Sequence, residues 1–99
     1  MFKRVPDRGS RHPIPAGQTM PPVYLSRHPV SVAAAPGAGG SVLVEYTLSP
    51  RALIEAGEAL WLAWPAGAVT AASTDVLFAP AVAVRAKATG ADGFIEIVE

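Results

Sequence analysis

The 99-residue chain contains no cysteine, which excludes disulfides, thiolate nucleophiles and the usual structural zinc sites. Its two histidines, His12 and His28, both fall in the first third, so no histidine base is available to a nucleophile elsewhere. Aromatic residues are few, at 7%, and much of the 51% apolar content is alanine, which buries little surface per residue. A single small domain with a lean core is the consequence, and such domains commonly draw stability from partners or self-association. The formal net charge is zero, so no overall field draws the chain to nucleic acid or to a membrane. Long apolar runs are also missing. The longest apolar region, residues 52–72, is broken by Glu55, Glu58 and Pro65, whereas a membrane span needs about 20 mostly apolar residues. No apolar run follows the basic start MFKRVPDRGSRHP, so a signal peptide is not expected. The lack of cysteine leaves the compartment open and suits a reducing cytoplasm.

What is present is asymmetric. Residues 1–28 hold Lys3, Arg4, Arg8, Arg11 and Arg27 against Asp7, five minus one, or +4; residues 29–99 hold three basic and seven acidic residues, or −4. Six of the ten prolines also lie in 1–29: Pro6, Pro13, Pro15, Pro21, Pro22 and Pro29. Proline fixes φ, removes a donor and pushes its predecessor towards extended geometry. Residues 1–28 are therefore expected to be an extended, basic N-terminal arm, with Phe2, Val5, Ile14, Met20, Val23, Tyr24 and Leu25 spread along it as apolar anchors. Fully extended, such an arm reaches roughly 90 Å.

Residues 29–99 are expected to form a small antiparallel β-sandwich. SVLVEYTLS alternates cleanly, with Val42, Val44, Tyr46 and Leu48 on one face and Leu43, Glu45 and Thr47 on the other. SPRALIEAG fits either a short helical turn, with Ser49 as N-cap and Gly57 as stop, or a loop over the sheet end. EALWLAWPAG favours a strand, which sets Leu60, Leu62 and Trp64 on one face and Trp61 on the other. DVLFAPAVAVRAKATG supplies two short strands around Pro80, and the ADG turn joins the second to FIEIVE as a terminal hairpin. Turn signals every eight to twelve residues are the mark of an all-β sandwich or barrel.

No chemistry-bearing constellation stands out, and neither a catalytic residue, a bound metal nor a cofactor is expected. Glu55 and Glu58 read as solubilising charges, and His12 and His28 lie sixteen apart without a ligand cluster. GAGG at 37–40 lacks the lysine and the strand-to-helix setting of a phosphate loop and reads as a mobile hairpin connection. Arg85 lies among valines and alanines; it is either an outward or edge charge, or a partner for Asp75 or Glu45. The basic arm could touch nucleic acid, yet charge pairing with the acidic body of a neighbouring subunit needs no external ligand.

The segment SVLVEYTLSPRALIEAGEALWLAWPAGAVTAASTDVLFAPAVAVRAKAT, roughly residues 41–89, resembles the small β-sandwich virion proteins encoded in the structural-gene clusters of tailed bacteriophages. The matching residues are the strand Val44–Thr47, Trp61, the Trp-Pro-x-Gly turn at Trp64–Gly67, and Pro80 with Arg85. The resemblance implies a non-enzymatic structural protein of the virion, assembled in the host cytoplasm, that decorates or cements the capsid. The major capsid protein or other virion proteins, and further copies of the chain, are its implied partners; a minor head, tail or fibre-attachment component is the alternative slot, and a nucleic-acid-associated protein the alternative class. Candidate interface residues are Phe2, Arg4, Arg8, Arg11, Ile14, Tyr24, Leu25 and Trp61. Trp64 is expected in the core, and Trp61 either under a loop or as an anchor on a neighbour.

Overall fold

The computed structural model describes residues 9–78 and 80–99. Its elements run β1 (Gly9–Ile14), β2 (Val23–Tyr24), β3 (Val30–Pro36), β4 (Ser41–Thr47), α1 (Arg51–Glu55), β5 (Leu62–Val69), β6 (Ser73–Leu77), β7 (Ala83–Thr89) and β8 (Gly93–Val98). Two four-stranded antiparallel sheets, ordered β1-β8-β3-β6 and β2-β7-β4-β5, pack face to face. The all-β sandwich is thus as the periodicity indicates. Val42 and Val44 of β4, Val32 and Ala34 of β3, Val84, Ala86 and Ala88 of β7, and Ile95 and Ile97 of β8 all point inward and are buried. Alternation places each of these two apart, which is why short strands rich in valine and alanine suffice. The alanines keep the interior thin, and Trp64, Ile14 and Met20 supply much of its bulk.

The boundary expected at residue 28 is not where the sandwich begins. Residues 9–28 are mostly extended, with a turn at Gly17 and bends from Ser26 on, but they lie along both sheets of their own chain. β1 pairs with β8 from Gly9↔Val98 to Ile14↔Gly93. The segment then crosses to the other sheet, where the N–H groups of Gly17, Met20 and Leu25 donate to Ala88, Ala86 and Val82 of the β7 side at 2.8, 2.9 and 2.9 Å. Ile14 is only 1% exposed and Met20 5%, each burial being worth about 1.5–3 kcal/mol. The prolines permit this because the segment lies on sheet edges, where a missing N–H leaves no gap in a ladder. Phe2, Arg4 and Arg8, with the rest of residues 1–8, lie outside the described residues.

Two connections differ from the hairpins expected. β7 and β8 belong to opposite sheets, as do β3 and β4, so the ADG and GAGG segments carry the chain across the sandwich instead of folding neighbours together. GAGG is also closely packed. The Gly37 N–H donates to the Asp92 carbonyl at 2.9 Å, and a Cβ on Gly37 would sit 2.4 Å from that oxygen.

The sheet edges are blunted. Pro13 lies in β1 and Pro65 in β5, both edge strands, and β2 is two residues long. In β6 the Asp75 carboxylate accepts from the Val76 N–H at 2.8 Å, occupying a donor that a foreign strand could use.

Candidate interaction site

The strand registers place Gly9, Val98, Val30 and Leu77 at one end of the first sheet, and Tyr24, Thr47, Leu62 and Ala83 at the same end of the second. This lower end carries an unusual set of exposed large apolar side chains: Leu48, Leu53, Leu60, Leu62, Phe78 and Val98, with Phe78 at 79% and Leu60 at 68% exposure.

Local bonding explains why these side chains face outward. Thr47, the last residue of β4, is wholly buried; its Oγ1 accepts from the Ser49 N–H at 3.0 Å and its carbonyl from the Val82 N–H at 2.8 Å. Leu48, next along, has left the alternation of the strand and is exposed. Pro50, not Ser49, stands at the N-cap of α1. The Ser49 hydroxyl instead accepts from the Leu60 N–H at 3.0 Å, clamping the two ends of the β4–β5 connection together. Ile54 is the one buried residue of α1, and its neighbour Leu53 is left outside. The helix stops at Gly57, whose φ of 75° suits glycine. Leu62 opposes Tyr46 and so shares the face of Trp64, but it lies beyond the end of the core. Leu77 closes the core and Phe78 follows it outside.

Three arginines, Arg51 at that end and Arg85 and Arg11 farther along the sheets, are each held between a carboxylate and an aromatic ring. Arg85 lies 4.1 Å over Trp61 with its Nε 3.0 Å from Glu45. Arg51 lies 4.1 Å over Tyr24 with its Nε 2.9 Å from Glu55, and this hydrogen bond raises its pKa above the ordinary arginine value. Arg11 lies 4.2 Å over Phe94 with an NH2 group 2.7 Å from Glu96. Of the two partners weighed for Arg85, Glu45 is therefore the one found, directly across from it on the central strand pair β4–β7. An edge position does not apply.

The interface candidates are thus scattered. Ile14 lies in the core and is corrected from a surface anchor to a packing residue. Leu25 is half-buried against the core. Tyr24 and Trp61 are half-buried beneath arginines, and Arg11 is exposed but paired. The residues that do gather, Leu48 to Leu62 with Phe78 and Val98, went unnoticed because period-two patterns assign faces and not ends. A leucine directly before Ser-Pro and a phenylalanine two before proline were the available signals. Among the described residues no three metal-ligating side chains come together.

The fold and this surface define a small antiparallel two-sheet sandwich with blunted edges and exposed apolar side chains at one end. Comparison with protein-family models, with curated proteins and with solved structures gives no match to this chain.

Proposed function

We propose that this chain is a non-enzymatic structural component of a tailed-bacteriophage particle, of the decoration or cement type, held by subunit contacts through the lower end of its sandwich. The observation that carries the reading is the exposed group Leu48, Leu60, Leu62 and Phe78 on a body whose sheet edges are blunted by Pro13, Pro65 and a two-residue β2. Exposed clusters of large apolar side chains are among the marks of a protein-contact surface. The resemblance of residues 41–89 to small virion sandwiches supplies the setting, with the major capsid protein or other virion proteins as partners. The nucleic-acid reading is weakened because Arg11, one of the basic residues it needs, is already engaged by Glu96 and Phe94. Mass spectrometry of purified particles tests the proposal. The protein is expected in stoichiometric copies, with Leu60→Asp and Phe78→Asp variants, exposed and so still folded, incorporated poorly. Absence from particles, or undiminished incorporation of both variants, would count against it.

A further inference from the structure

We infer that Ser10 is a site of covalent acylation, its hydroxyl activated by His12 for attack on an activated ester or thioester. The inference goes beyond the proposed function, because it needs neither a particle nor a neighbouring subunit. Its product is an attached acyl group and not a turnover.

The geometry of β1 makes the pair. Its period of two sends Ser10, His12 and Ile14 to one side of the strand and Arg11 and Pro13 to the other. Ile14 reaches the core, His12 is half-buried and Ser10 is exposed, so these side chains emerge from the sandwich as the strand nears its lower end. Residues two apart on a strand are separated by about 7 Å, a gap that a hydroxymethyl group and an imidazole span together. The Ser10 Oγ lies 2.8 Å from His12 Nε2, within the reach of a nucleophile for its base. Other hydroxyls are engaged differently. Ser26 donates to the Glu99 carboxylate and Ser73 to the Ala71 carbonyl, while Ser49 and Thr47 accept from backbone N–H groups. Among the described residues, Ser10 is the hydroxyl bonded to a nitrogen base.

An open groove of about 310 Å³ runs alongside, lined by Ser10 and Arg11 of β1 and by Glu96, Ile97 and Val98 of β8. Ile97 stands opposite Ser10 in the register, and Val98 is exposed, which gives a short acyl chain an apolar surface beside the hydroxyl. With its ring proton on Nδ1, His12 takes the hydroxyl proton at Nε2 as Oγ attacks the acyl carbonyl. The Oγ–carbon bond forms, and the bond from that carbon to the leaving oxygen or sulfur breaks with its electron pair. The proton then passes from Nε2 to the leaving group.

Brief exposure of the isolated full chain to p-nitrophenyl acetate, and separately to an acetyl thioester, tests this when followed by acid quench and peptide mass mapping. Acetylation is expected at Ser10 about tenfold or more faster than at Ser31, Ser41 or Ser73 of the same molecules. His12→Gln is expected to bring Ser10 down to the rate of those serines. Arg11→Gln, on the other side of the same strand, is expected to keep the preference, which separates the Ser10–His12 contact from the general state of β1. Labelling of wild-type Ser10 no faster than the other serines overturns the inference. So does a preference that survives His12→Gln, or one lost equally in Arg11→Gln. The proposed function stands or falls separately, by the presence of the protein in particles.

Discussion

The Trp64 indole Nε1–H donates to the carbonyl oxygen of Gly67 at 2.6 Å, closing a bulge in β5. Leu43 pairs with Ala68 and Glu45 with Ala63, so Trp64–Gly67 stands opposite Val44 alone. The bulge turns the Trp64 ring into the core, where it is 2% exposed, and sets Pro65 on a sheet edge that needs no donor. Gly67 takes φ 66° to complete it.

Trp64→Phe is expected to cost about 1–2 kcal/mol through the orphaned Gly67 carbonyl, and Trp64→Ala about 3–5 kcal/mol through the cavity. Gly67→Ala should cost about 1 kcal/mol from the left-handed φ alone, since open space surrounds its Cα. Chemical denaturation midpoints check all three.

Arg85, Glu45 and Trp61 form one unit on the outer face of the second sheet. With the Arg85 and Glu45 side chains 30% and 23% exposed, their pairing is expected to be worth about 0.5–1 kcal/mol. The stacking on Trp61 should add a similar amount. A double-mutant cycle of Arg85→Ala with Trp61→Leu should show coupling of this size. Additive losses would remove the stacking from the account.

Deletion of residues 1–28 is expected to abolish cooperative folding, because it removes β1, β2 and the buried Ile14 and Met20. A circular dichroism melt of this truncation checks it, a cooperative transition near that of the full chain being the contrary result.

Gly37→Ala is expected to destabilise by about 1–3 kcal/mol. Its new methyl would meet the backbone oxygen of Asp92, and the same carboxylate residue staples the Ala16 N–H at 2.8 Å. The cost should appear as a lower melting temperature, with wild-type stability the contrary result.

The sandwich was legible in β4 and β7, whose alternating valines and alanines face inward as their spacing requires, and Trp64 was placed in the core for the same reason. Arg85 was legible as far as its two candidate partners. Residues 9–28 were not, because proline rules out central strands and helices but says nothing against an edge, and edges are where β1 and β2 lie. The ADG and GAGG segments were misread because a turn signal marks a reversal without saying which sheet receives the next strand. The lower end was hidden for a further reason. Leu62 fits the alternation of β5 and Leu60 lies two residues before it, but the core runs out before it reaches them.

Amide hydrogen exchange on the isolated protein and on the assembled particle tests the central claim most directly, that the chain from Gly9 onward is one sandwich which meets other subunits through its lower end. The account predicts slow exchange at the ladder amides of β1 and at Gly17, Met20 and Leu25 in the isolated protein, with further protection on assembly around residues 48–62 and 78. Exchange at unfolded-chain rates across residues 10–25, with assembly protecting the opposite end around residues 36–40 and 90–92, would contradict it.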